Sequence, residues 1–72
     1  MVQTQIIIGK KIKARRDELH MTQEDLCRAA SISQPYLSRV ERNVFTPSIK
    51  TLDRIAQALS MTVDDLIERR AS

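Results

Sequence analysis

Apolar residues recur at helical spacing along nearly the whole chain, and Thr22, Ser33, Ser48 and Thr62 interrupt that pattern at short intervals. Ser and Thr are favoured where a helix starts, because the side-chain oxygen accepts an N–H that the first turn leaves unpaired. Thr22 and Thr62 each have an aspartate three residues on, Asp25 and Asp65, which is the spacing of a reciprocal cap. Ser33 is followed by Pro35, and proline suits a first turn, where its missing N–H costs little. The pattern predicts helices over residues 7–20, 23–30 and 34–42, a fourth opening after Ser48, and a fifth over 63–69. In the first helix Ile8, Ile12 and Leu19 share a face with Arg16. Leu26, Cys27 and Ala30 are the buried positions expected in the second. Ile49, Leu52, Ile55, Ala56 and Leu59 are the apolar positions of the fourth, and Val63, Leu66 and Ile67 those of the fifth. Asn43 can close the third helix in a left-handed conformation. No stretch alternates convincingly as a strand, although the β-branched residues 6–8 can start extended, and the last residues are expected to fray. The fold class is all-α.

So short a chain, 72 residues, is at most one domain, and it buries only about 60% of its unfolded surface. Domains of this size lean on staples, metals, well-packed helices or a partner subunit. Cys27 is the only cysteine, so no internal disulfide forms, and with His20 the only histidine a structural zinc set is not expected. No metal or cofactor is expected. Helix packing and dimerisation remain. A lone cysteine fits a reducing cytosol, and a cytoplasmic location is the expectation. Residues 1–8 carry no early positive charge, residues 6–8 are too short for the core of a signal peptide, and no run approaches the ~18–20 apolar residues of a membrane span. There is no flexible linker, low-complexity tract or internal repeat.

The net charge of +3 is a mild excess that does not by itself mark a nucleic-acid binder. Its distribution is more informative. Lys10, Lys11, Lys13, Arg15 and Arg16 cluster, whereas acid collects between Asp17 and Asp25 and at Asp64, Asp65 and Glu68. A basic run is most often a solvated helix face. An enzyme has little support: His20 has no matching nucleophile, the acids sit at helix starts, and no glycine loop cradles phosphate.

The second and third helices are short and joined by Ser31-Ile32-Ser33, which fits a helix-turn-helix. The third helix has two kinds of side chain. Its inner stripe is Leu37, Val40 and Glu41; its outer positions are Gln34, Pro35, Ser38, Arg39 and Arg42. A charge turned toward a core is costly unless paired. Glu41 and Arg16 either pair across the first and third helices or reach solvent at the edges of their stripes. The outer stripe suits groove reading. Glutamine can bond adenine and arginine guanine through two contacts each, Ser38 permits close approach, and Tyr36 offers a hydroxyl and a ring.

Residues Met21-Thr-Gln-Glu-Asp-Leu26, Ile32-Ser-Gln-Pro-Tyr-Leu-Ser-Arg-Val-Glu-Arg42, Pro47-Ser-Ile-Lys-Thr-Leu52 and Ile55-Ala-Gln-Ala-Leu59 resemble the Xre/Cro/CI family of phage repressors, Cro proteins, restriction–modification controllers and antitoxins. The resemblance spans about residues 8–67 and implies a five-helix, lambda-repressor-like domain. By that resemblance Ser33, Gln34, Pro35, Ser38 and Arg39 match base-facing positions. Gln23, Arg42, Asn43, Thr46 and Lys50 match positions that meet the DNA backbone, with Gln23 also bracing Gln34, and Tyr36 matches a position that touches backbone or base. Arg16 and Glu41 match a buried ion pair. Ser31 and Asn43 depart from the pattern, standing where the family usually has glycine. Pro35 can offer only an apolar contact, and Cys27, in place of the usual alanine, simply packs.

The expected function is therefore a transcriptional regulator that binds a pseudo-palindromic operator on double-stranded DNA as a homodimer, with half-sites about one helical turn, ~34 Å, apart. Met61, Val63, Leu66 and Ile67 are the candidate dimer residues, some of which can instead close the monomer core. The alternative is a protein-interaction module, such as an antitoxin or adaptor, which an apolar outer face on the third helix would favour. Whether residues 1–72 are a whole protein or one domain of a longer regulator is left open.

Overall fold

The computed structural model describes the backbone of residues 4–67 and the side chains of residues 8–67. Five helices make up the described chain: α1 Thr4–Glu18, α2 Gln23–Ala30, α3 Gln34–Glu41, α4 Ile49–Ala58 and α5 Val63–Ile67. Residues 6–8 are helical, so the extended start they could have made is corrected: they belong to α1. Residues 68 and 69, expected at the end of the fifth helix, and the frayed end lie outside the described residues.

The helix starts follow from the caps. Thr22 Oγ1 accepts the Asp25 N–H at 3.0 Å while Asp25 Oδ2 accepts the Thr22 N–H at 2.9 Å. Thr62 and Asp65 repeat the exchange at 3.2 and 3.1 Å. Ser33 and Ser48 accept from Tyr36 and Thr51. The helix ends also share one device. His20, Ser31, Asn43 and Ser60 all have φ between 58° and 62°. In each case the next residue's N–H reaches back to a carbonyl of the last turn: Met21 to Arg16, Ile32 to Cys27, Val44 to Arg39 and Met61 to Ala56. This left-handed closure normally uses glycine. Here none of the four positions is glycine.

This closure corrects the expected first helix, which ends at Glu18 rather than residue 20. Leu19 falls in the closing turn and is 37% exposed instead of joining the apolar face. Ile49 is corrected as well. It opens α4 on the side away from the core and is 64% exposed.

The core joins Ile8 and Ile12 of α1, Leu26, Cys27 and Ala30 of α2, Leu37 and Val40 of α3, Leu52, Ile55 and Ala56 of α4, Leu59, and Leu66 of α5. Each large aliphatic buried in this way contributes about 1.5–3 kcal/mol. α2 packs on α3 and α4, while α1 packs on α3 and α5. Leu66 is fully buried, which corrects its place among the dimer candidates: its side chain closes the monomer core. Met61, Val63 and Ile67 are half-buried against the same core.

Candidate nucleic-acid interface

One polar cluster ties α1, α2 and α3 together. Arg16 of α1 donates from Nε to Glu41 Oε2 at 2.8 Å and from Nη2 to Glu41 Oε1 at 3.2 Å. Its Nη1 donates to the Met21 carbonyl at 2.8 Å. Both charged residues are buried, and the geometry is the two-point fork that best offsets desolvation. The hydrogen bond to Glu41 is the main cause holding the Arg16 guanidinium above its ordinary pKa. Gln23, at the first turn of α2, donates from Nε2 to Glu41 Oε1 at 3.1 Å. The bracing partner of Gln23 in this structure is thus Glu41, whereas the resemblance implied Gln34. A second amide hydrogen on Nε2 remains for a phosphate.

The outer side of α3 is open. Ser33, Gln34, Pro35 and Arg39 are exposed and Ser38 is half-buried. Ser33 Oγ is occupied as an acceptor by the Tyr36 N–H at 3.2 Å and keeps its own O–H as a donor. Among the described residues, neither the Gln34 nor the Arg39 side chain has a hydrogen-bond or ion-pair partner. Tyr36 is half-buried, and its ring meets Phe45 edge-on at 5.1 Å, fixing the loop after α3 against the helix. Arg42 is exposed, its Nε loosely bonded to the Ser38 carbonyl at 3.4 Å. Thr46 and Lys50 are exposed. Asn43 is half-buried, and its Oδ1 accepts the Gly9 N–H at 3.2 Å, leaving its amide N–H groups as the free end.

Two contributors escaped the sequence reading. Gly9 lies inside α1 where Asn43 docks; a Cβ there would come within 2.7 Å of the Glu41 carbonyl oxygen. An isolated glycine within a helix is a signal of such close approach. Arg54 of α4 donates to the carbonyls of Ala30 and Ser31 at 3.2 and 3.1 Å. Nothing in its local sequence marks it, because its partners are more than twenty residues away. The basic run of α1 is also divided: Arg16 is internal, Arg15 donates to the Leu59 carbonyl at 3.0 Å, and Lys13 faces Asp17.

Short α2, a left-handed turn and an α3 with a free polar face define a helix-turn-helix domain of the repressor type. A helix-turn-helix family model matches residues 12–66, and the chain belongs to that family. An immunity repressor protein of Bacillus phage phi105 is 38% identical over 60 residues, covering 83% of this chain and 42% of the repressor. The chain spans 42% to 66% of the length of the first curated relatives it matches. The structure of SinR, a master regulator for biofilm formation, in complex with DNA superposes with a TM-score of 0.78 at 37% identity over 82% of this chain and 95% of that one. The P22 c2 repressor in complex with a synthetic operator gives 0.81 at 29% identity over 86% and 94%. These relatives are transcriptional regulators rather than enzymes. Among the described residues, no helix is long and apolar enough to cross a membrane, and no group of His, Cys, Asp and Glu can hold a metal.

Proposed function

We propose that this chain is the DNA-binding unit of a transcriptional regulator that reads a pseudo-palindromic operator as a homodimer, with α3 in the major groove. The observation that carries the reading is the pairing of exposed, unpartnered Gln34 and Arg39 on one helix whose inner stripe is locked by Arg16 and Glu41. Such side chains can exchange water for base edges without breaking an internal bond. Gln34 would address adenine and Arg39 guanine, with Ser38 permitting close approach, and Ser33 and Pro35 adding a hydroxyl and an apolar contact. Gln23, Tyr36, Arg42, Asn43, Thr46 and Lys50 would set the register on phosphate. Met61, Val63 and Ile67 are the surface proposed for the second copy. A cytoplasmic site of action goes with this reading.

The test is selection of binding sites from random duplexes by the purified chain. A two-fold repeat with half-site centres about 10 base pairs apart is expected. Replacing Arg39 with Ala should then cost about 1–3 kcal/mol at the selected site and relax one position. Equal losses on every duplex would oppose base reading. A protein partner is the second reading, favoured by Val44 and Ile49, which are 60% and 64% exposed beside the DNA-facing loop. Failure to enrich any duplex would favour it.

A further inference from the structure

We propose that Arg54 is a positioning residue for α3: it clamps the α2–α3 turn and so sets the angle at which the helix meets DNA. The inference rests on the base-reading role of α3 proposed above.

Ser31 carries the turn at φ 59° and ψ 49°. A left-handed residue with a Cβ costs roughly 1–2 kcal/mol and persists only when its surroundings hold it. Ser31 sits two residues before Ser33, the cap of α3, so drift at this point is passed directly to Gln34. α3 has eight residues and is about 12 Å long. A 10° change at the turn would move its far end by about 2 Å, well beyond the ~0.5 Å that a positioned contact tolerates.

Arg54 acts on that point from a different element. Its Nε donates to the Ala30 carbonyl and its Nη2 to the Ser31 carbonyl, which brackets the left-handed residue on both sides. These carbonyls lie at the C-terminus of α2, where a cation is also favoured by the helix dipole. The planar guanidinium makes both bonds at once; a lysine ammonium lacks that fork. An arginine near a phosphate-facing loop could instead contact phosphate, but here the donors face α2. Arg54 lies one turn beyond Lys50 on α4, so the clamp also ties the backbone-contacting start of α4 to the turn.

The experiment measures affinity for a duplex selected by the wild-type chain and for a scrambled duplex, across salt concentrations and well below each melting temperature. Arg54→Ala should lower the preference for the selected duplex about tenfold and leave the salt slope unchanged. Arg54→Lys should retain only part of the preference, and it carries the same test if Arg54→Ala does not fold. Adding Ser31→Gly to Arg54→Ala should recover most of the loss, since glycine adopts the turn without strain. Retained preference with only a lowered melting temperature would overturn the proposal, as would a salt slope reduced by about one phosphate contact on both duplexes. A double variant no better than Arg54→Ala would overturn the role given to Ser31. A wild-type chain that prefers no duplex would instead overturn the base reading itself, which separates the two failures.

Discussion

Arg16 and Glu41 show how a single pair of residues can organise this domain. Glu41 is 9% exposed and accepts from both Arg16 and Gln23, so three elements converge on one carboxylate. Removing one partner leaves an uncompensated buried charge, which costs about 3–5 kcal/mol. A domain this small has little reserve. Glu41→Ala is therefore expected to lower the thermal midpoint, followed by circular dichroism, by more than 10 °C or to abolish the transition (about 4–8 °C per kcal/mol at this size). Arg16→Met combined with Glu41→Leu should regain a large part of that loss. A Glu41→Ala melt within 2 °C of wild type would refute the assignment. Both residues were legible in the sequence because charge on an apolar stripe is anomalous at any position. Gly9 and Arg54 were not placed. Their partners, Asn43 and the Ala30–Ser31 carbonyls, come near only when distant elements pack.

At the level of elements, starts and stops differ in legibility for a local reason. A cap needs a hydroxyl and the N–H three residues on, both within one turn, so Thr22, Ser33, Ser48 and Thr62 announce α2 to α5. The closures rely on left-handed backbone, which glycine would have advertised. His20, Ser31, Asn43 and Ser60 supply it instead. Only Ser31 and Asn43 stand out: Ser31 as a departure from a family pattern, and Asn43 also because asparagine tolerates left-handed backbone. His20 does not, so the expected first helix runs two residues past the end of α1 and places Leu19 in the wrong environment. The same chemistry offers a stabilising change. Ser60 is exposed, and its closure lies between α4 and α5, away from α3. Ser60→Gly is expected to raise stability by about 0.5–1 kcal/mol, a few degrees in melting temperature, without altering DNA affinity. A lower melting temperature would show that the left-handed serine carries no strain.

For the whole molecule, the acid limit of stability should follow the reciprocal caps. Hydrogen bonds from the Thr22 and Thr62 backbones hold the Asp25 and Asp65 carboxyls below their ordinary pKa of 3.8. A carboxyl depressed in the folded state binds its proton more readily in the unfolded one. Its contribution is complete above the unfolded value and is lost as pH falls through the folded one. The melting temperature should therefore drop below about pH 4, and Asp25→Asn with Asp65→Asn should flatten that limb. An unchanged acid limb in the double variant would assign it to other carboxyls. Burial pushes the Cys27 thiol up, so the core cysteine behaves as a packed apolar group over the same range.

The sequence by itself determined that the chain is all-helical, where α2 to α5 begin, which residues face inward on α2 and α3, and which polar side chains α3 carries outward. Those properties depend on spacing within a few residues. The tertiary structure decided which partner each long side chain chose. Gln23 turns to Glu41, Arg15 to the end of α4, and Arg54 to the end of α2. It also decided which apolar residues were left over: Leu66 goes into the core, while Ile49 and Leu19 stay outside. The reason is the reach of the interactions. Hydrophobic period and capping act within a turn or two of one helix, whereas a guanidinium or an aliphatic side chain finds its place only against whatever element the fold brings within a few ångströms of it.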